Sequence, residues 1–318
     1  MKRGRCVIVG LGGFDPDVLA NLALFYGACG YETKIADTPV DCDLLIIQRG
    51  TYTDVAFEVR ADACHIYDYA AIGTSDLHQC FPLISTPVVI ASGHGASGKT
   101  VPGRAIRSFH PVIPALWRAH LSGAEIKPSF EFVHVGHRKP NPDGDERLRE
   151  LDSIARSGAC DFWGNGWKAA APNGAHIHGD ASLHQCQGIY RRARLALGVM
   201  YPFQRGRTIS GRMWQAPLNG CTVISECSAP DIPLPGVFTC GDFMAVIKSP
   251  PPAARRAALI EECSEYWSAA TTRLARELGL SYTPPSDLDV RLAYLKWIYS
   301  RHIKRRWPLP GAAMLIRA

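Results

Sequence analysis

The sequence predicts an α/β protein made of two parallel-sheet halves followed by C-terminal helices. Three observations lead there. Short continuous apolar runs alternate with helix-length stretches, the pattern of strands buried on both faces. The alternation restarts near residue 130, after a Gly-, Lys- and Pro-bearing stretch at 122–129. The chain is 318 residues long, more than one hydrophobic core usually serves.

In the first half, residues 5–10 read as a buried strand, 15–29 as an apolar-periodic helix closed at Gly30, and 32–37 as a second strand. A third strand covers 43–48 (DLLIIQ), weaker strand signals follow at 65–69 and 87–91, and a helix is expected near 113–121. The second cycle opens with a strand at 130–136, a polar turn (KPNPDGDER) and a helix over Glu146–Ser157. It continues through a short strand at Asp161–Trp163, a helix at 183–194, a strand at 196–200, a helix near 213–218 and a strand at Thr222–Ser225. From Ala253 onward two helices are split by Thr283-Pro-Pro-Ser. The expected domains are 1–125 and 126–252, each Rossmann-like, with 253–318 packing back across them.

Composition excludes several classes. Hydrophobic residues at 47% and charged residues at 20% suit a globular protein, and no apolar run reaches membrane-spanning length. The 11 cysteines show neither C-x-x-C nor zinc-finger spacing, which fits reduced thiols and a cytoplasmic location better than a disulfide framework. MKRGRCVIVG passes almost directly into a strand, leaving no room for a signal peptide. A net charge of +6 and a pI near 8.7 favour anionic ligands without requiring nucleic acid.

Several motifs carry candidate chemistry. Gly10-Leu-Gly-Gly13 after a strand is half of a dinucleotide fingerprint, and Asp37 stands where a ribose-binding acid would. The third glycine position holds Asp15, an acid that would repel a pyrophosphate, so a tight glycine turn is the plainer reading. Gly93-His-Gly-Ala-Ser-Gly-Lys-Thr100 matches the P-loop pattern letter for letter. Pro102 and Gly103 oppose the helix such a loop must launch at Lys99. A glycine-rich loop presenting His94 and Lys99 to substrate is preferred.

Gly136-His137-Arg138-Lys139 ends a strand with cations placed to neutralise a diphosphate; a solvated turn is the alternative. Trp163-Gly-Asn-Gly-Trp167 reads either as core packing or as a pocket wall. His176-Ile-His178 reads as a loop, with no carboxylate or cysteine set beside it. Arg191, Arg192 and Arg194 read as a solvated basic face, and the terminal RHIKRRW as a helix end. The segment from Arg212 to Gly220, followed by CTVIS, puts a helix start and a strand end on one rim, where N–H groups and the helix dipole favour anions.

From about residue 130 to 242, a third of the chain, these motifs resemble the CgeB-like, GT-B-type glycosyltransferases; the first 120 residues match only in kind. Gly164-Asn-Gly-Trp167 matches a Gly-x-Gly-Trp loop. Tyr190-Arg-Arg-Ala-Arg-Leu-Ala-Leu-Gly198 matches a tyrosine-bearing helix before a strand. Arg212-Met-Trp-Gln215-Ala-Pro-Leu-Asn-Gly220 matches an Arg-x-Phe-Glu-x-x-x-x-Gly block, with Trp214 as the aromatic. Two positions depart: Gln215 replaces a glutamate that usually bonds the ribose, and Arg207 stands where another acid is common.

The resemblance implies a GT-B fold, two Rossmann-like domains facing a cleft, with the acceptor on the first and the donor on the second. It implies transfer of a sugar from a nucleotide-diphosphate sugar to a hydroxyl acceptor, metal-independent and without a cofactor, since GT-B enzymes usually manage the leaving charge with side chains and helix dipoles. Arg138, Lys139, Arg207 and Arg212 would offset the leaving diphosphate's charge, and Ser210 and Gly211 would let backbone amides approach phosphate. Gln215 would hold the ribose, while Gly136, Gly166, Trp167 and Tyr190 complete the donor site. His94 or Asp15 would take the acceptor's proton. A polysaccharide, small metabolite, protein hydroxyl or hydroxylated DNA base would each serve as acceptor. A P-loop hydrolase or kinase, and a non-catalytic nucleotide-sugar-binding protein, remain as alternatives.

Overall fold

The computed structural model describes residues 3–11, 16–49, 56–68, 81–84, 87–91, 104–108, 111–118, 127–138, 144–171, 176–181, 183–199, 210–226, 234–252 and 255–298. It divides into two compact units. The first comprises Met1–Ile90, Gly98–His120 and Ala269–Ala318; the second comprises Ala91–Ser97 and Leu121–Ser268.

The first unit carries β1 (Arg5–Leu11), α1 (Pro16–Ala28), β2 (Glu32–Ala36), β3 (Cys42–Arg49), β4 (Ala61–Asp68), β5 (Val88–Ala91, whose last residue falls in the second unit), β6 (Arg104–Arg107) and α2 (Pro114–Arg118). Its sheet runs β2-β1-β3-β4-β5-β6, and the pairs from β2 to β5 are parallel. Cys6, Val7, Ile8 and Val9 are all wholly buried, which explains why this strand reads as an unbroken apolar run.

One face packs Val7, Val9, Leu45, Ile47, Cys64 and Ile66 into a single cluster. His65 and Tyr67, at alternating positions of β4, bond instead to Tyr26 of α1. The Tyr26 hydroxyl lies 2.7 Å from His65 Nδ1 and 2.9 Å from the Tyr67 hydroxyl. Burial pushes the His65 pKa down to about 4. Segment 111–113 is tied in by buried polar groups: Asn21 bonds Pro111 O and Ile113 N, and Thr271 exchanges two bonds with Val112.

The second unit carries β7 (Phe130–Val135), α3 (Glu146–Ser157), β8 (Asp161–Trp163), α4 (Trp167–Ala170), α5 (Leu183–Arg192) and β9 (Ala193–Gly198). Then come α6 (Arg212–Gln215), a 3₁₀ turn (Pro217–Asn219), β10 (Thr222–Ser225), β11 (Val237–Thr239) and α7 (Phe243–Lys248). α8 (Arg256–Glu277) begins in this unit and ends in the first, and α9 (Asp287–Ile298) belongs to the first. The sheet runs β11-β10-β9-β7-β8, all parallel. Its core joins Phe132, Leu151, Ile154, Phe162, Trp167, Leu195, Leu197 and Ile224. Sequence chemistry sets the ends of α3. The Asp145 side chain accepts from Leu148 N, and Gly158 closes the helix at φ 72°, a left-handed value that costs glycine little.

The α/β class and its apolar strands are what the sequence leads one to expect, with local differences. The helix expected over 183–194 stops at Arg192, and the following strand starts at Ala193 rather than 196. Arg256 donates to the carbonyls of Arg191 and Ala193 at that junction. The helix end is thereby satisfied without another turn. The helix expected near 213–218 is one α-turn followed by a 3₁₀ turn, because Pro217 has no N–H to continue it. β6, β11, α4 and α7 carry no expected counterpart; each is six residues or fewer. Among the described residues every cysteine is free, and no helix is long and apolar enough to cross a membrane.

Candidate functional site

From β7 the chain passes to β8 on one side of the second sheet, and β9, β10 and β11 then build outward on the other. The strands that follow β7 and β9 thus lie on opposite sides of this neighbouring pair, and such a switch of strand order opens a crevice at the carboxyl ends of the strands. Predicted site residues converge there.

Two loops interlock at the rim. Gly136 N donates to Trp163 O at 2.9 Å, Arg138 N to Asn165 O at 2.8 Å, and Asn165 N to His137 Nδ1 at 3.0 Å. The Trp167 indole N–H donates to Gly136 O at 2.7 Å. Approach this close requires Gly164 and Gly166, at φ 124° and 89°. A Cβ on Gly164 would overlap Gly136 O, and one on Gly166 would lie 2.7 Å from Arg138 O. Trp167 is 1% exposed and packs on Phe162 at 4.5 Å between centroids. It is thus both core and wall, while Trp163 stacks on His178 at 4.2 Å.

Arg212 reaches the same place from α6. Its Nη2 lies 2.7 Å from where a Gly136 Cβ would stand, and its Nη1 lies 3.4 Å from Val199 O. A small hollow, open to solvent, is lined by His134, His137, Arg138, Leu148, Leu151, Trp167, Val199 and Arg212. The positive charge comes from side chains. A one-turn α6 has little dipole to add, which corrects the expectation that a helix start would itself draw an anion.

Arg138 is engaged from behind. Its Nε and Nη2 donate to Asp152 Oδ1 and Oδ2, both at 2.8 Å. This two-point pair with α3 offsets much of its charge, leaving Arg212 as the stronger cation of the hollow. Neither Asp152 nor His134 was anticipated from sequence. Asp152 lies on an ordinary helix, while His134 is a buried polar residue inside a largely apolar strand, two places before Gly136. His134 Nδ1 lies 2.9 Å from Leu197 O. Burial first, then the Arg212 charge, pushes its pKa down to about 3.

The other expected donor-site residues are arranged around this group rather than in it. Ser210 O and Gly211 O accept from Met213 N and Gln215 N, starting α6. Gln215 O accepts from Asn219 Nδ2 at 2.6 Å. Tyr190, 2% exposed, is packed in α5, and burial pushes its hydroxyl pKa up. None of these four lines the hollow. His94, Asp15, Lys139, Arg207 and the P-loop-like stretch 93–100 lie outside the described residues.

Residues 176 and 178 have one carboxylate beside them, short of a set that would hold a metal. Ile177 bridges Phe162 beside β8, bringing His178 Nε2 to 2.7 Å and His176 Nδ1 to 3.5 Å from Asp161 Oδ1. Among the described residues, no three or more His, Cys, Asp or Glu side chains are grouped to hold a metal.

No protein-family model matches the chain, and no curated protein matches it in sequence. Solved structures do. A DNA modifying enzyme, β-glucosyltransferase, is similar at 10% identity and a TM-score of 0.57, covering 86% of this chain and 96% of its own. A point mutant of T4 phage BGT in complex with UDP-glucose is similar at 9% identity and a TM-score of 0.54, covering 92% and 99%. Anabaena HepE in complex with UDP and glucose is similar at 10% identity and a TM-score of 0.50, covering 87% and 100%. At such identities the likeness is one of architecture: the chain has the GT-B fold, with two parallel α/β units in one polypeptide.

Proposed function

We propose that the protein is a glycosyltransferase that moves a sugar from a nucleotide-diphosphate sugar to a hydroxyl acceptor, its second unit holding the donor. The observation that carries this reading is the Arg212 guanidinium over side-chain-free Gly136, in a hollow at the sheet's switch point. Support comes from the fold, which is shared with proteins solved with UDP-glucose or with UDP and glucose. The resemblance of segment 130–242 to the CgeB-like transferases points the same way.

As the bond from sugar to diphosphate breaks, negative charge grows on the leaving phosphate oxygen. Arg212, at the rim of the hollow, would stabilise that charge. Side chains thus take the part a divalent ion plays elsewhere, with Lys139 and Arg207 assigned to assist and Arg138 buffered by Asp152. Gln215 is assigned to the ribose, Ser210 and Gly211 to the phosphate by backbone N–H groups, and His94 or Asp15 to the acceptor's proton. The free cysteines fit a cytoplasmic protein.

Among acceptors, a hydroxylated DNA base is favoured by the net charge of +6 and by the likeness to a DNA modifying enzyme. Binding to DNA carrying such a base should then fall steeply with salt as phosphate contacts are released.

A thermal-shift series with UDP-, GDP- and dTDP-sugars tests the donor. One nucleotide sugar should raise the melting temperature, because it binds only the folded state, and nucleotide release should follow on adding acceptor. Stabilisation by ATP or GTP alone would defeat the reading. The P-loop letters at 93–100 favour a rival nucleotide hydrolase. It requires that Lys99→Ala abolish nucleotide binding and Arg212→Ala do little; the transferase reading requires the reverse. Tight sugar-nucleotide binding with no release for any acceptor would favour a binding protein.

A further inference from the structure

Among the described residues, His134 is the one buried polar side chain lining the hollow, at 3% exposure. Its Nδ1 faces Leu197 O at 2.9 Å. A carbonyl only accepts, so Nδ1 carries the proton, and Nε2 of the neutral ring carries a lone pair. That ring stays neutral through the physiological range, because burial and the Arg212 charge hold its pKa at about 3. Nε2 lies on the vacant side of Gly136: a Cβ there would be 3.4 Å from Nε2 and 2.7 Å from Arg212 Nη2.

The two groups ask for different partners. Arg212 donates, and so suits a phosphate oxygen. An unprotonated Nε2 repels a phosphate oxygen and needs a donor. The hollow therefore matches a ligand whose anionic group is followed closely by an O–H. Clamping β7 to β9 accounts for Nδ1 alone.

We propose that His134 Nε2 accepts a hydrogen bond from a hydroxyl of the nucleotide sugar, beside the diphosphate held by Arg212. This rests on the donor-site reading above. The hydroxyl belongs either to the ribose or to the transferred sugar, and both present the same chemistry.

Two variants separate this from a structural role. His134→Asn keeps an amide N–H near the Nδ1 position and lacks Nε2; His134→Gln places an amide oxygen nearer Nε2. Calorimetry would measure binding of UDP-glucose, or GDP-glucose if bound more tightly, of the matching nucleoside diphosphate, and of pyrophosphate. His134→Asn is expected to weaken nucleotide-sugar binding about tenfold and to leave pyrophosphate unchanged, with His134→Gln recovering part of the loss. A loss shared by the nucleoside diphosphate assigns the hydroxyl to the ribose; a loss confined to the intact donor assigns it to the sugar.

Wild-type affinity in His134→Asn overturns the proposal, as does an equal loss for pyrophosphate, which would mean His134 only steadies Arg212. Should the variants fail to fold, wild-type protein with deoxy-ribose and deoxy-sugar donors serves instead. One of them should bind about tenfold more weakly, and undiminished binding of all overturns the idea. Wild-type protein that binds no nucleotide sugar defeats the donor-site reading itself, an outcome distinct from binding that His134 does not influence.

Discussion

Arg212 Nη2 lies 2.7 Å from the point where a Cβ on Gly136 would stand. The glycine is thus what lets the guanidinium reach over the end of β7. Gly136→Ala meets the far end of a flexible side chain, so the fold should lose less than about 1 kcal/mol. Donor affinity should fall about tenfold as Arg212 is displaced, and Arg212→Ala should cost about 100-fold. Titration calorimetry with the preferred nucleotide sugar, alongside urea unfolding, separates the two effects.

Gly164 should behave in the opposite way. Its φ is 124°, and an added Cβ would overlap the Gly136 carbonyl, which is backbone and cannot step aside. Gly164→Ala is expected to destabilise the protein by on the order of 3 kcal/mol. Gly179→Ala, where nothing lies within 4 Å of the new Cβ, should change little. Urea midpoints of the two variants make the comparison.

The Arg138–Asp152 pair is partly buried, with side chains 26% and 15% exposed. Its two parallel bonds should give a coupling of about 1–2 kcal/mol in a double-mutant cycle with alanine at both positions. Because Asp152 already takes two of its N–H groups, Arg138→Ala should weaken nucleotide diphosphate binding less than Arg212→Ala does. Asp152→Asn should strengthen that binding by returning net charge to the rim.

Acid should destabilise both units through buried histidines. In the unfolded chain His65 and His134 take up a proton as pH falls through about 6.5. In the native state they stay neutral until about 4 and about 3. The unfolded state then binds more protons, so stability is full above about pH 6.5 and declines below it. The loss is about 1.4 kcal/mol per pH unit for each histidine inside its window. Denaturant midpoints between about pH 7 and pH 4 should fall less steeply for His65→Phe and for His134→Phe than for the wild type.

Much of this was legible in the residues because parallel strands covered on both faces cannot hide. DLLIIQ at 43–48 and FEFVHV at 130–135 announce themselves through their short, largely apolar runs. The glycines of 164–166 were also readable, since little else tolerates their backbone angles. β11 was not, being a three-residue edge strand whose last two residues are exposed. α6 is shorter than its sequence suggests, because Pro217 cuts it short. Asp152 gave no signal at all. Its carboxylate matters only because α3 packs where it can take both nitrogens of Arg138.

The linear order of residues determined the strands, the turns and the cations at strand ends, since each follows from local conformational preference and from burial of contiguous side chains. Which cation faces the hollow, and which nitrogen of His134 bears the proton, was decided only in three dimensions. A guanidinium's charge is offset by whatever carboxylate the packing sets 2.8 Å away, and an imidazole's tautomer by the carbonyl of a strand paired far along the chain. Such through-space partners leave no mark on the spacing of residues in sequence.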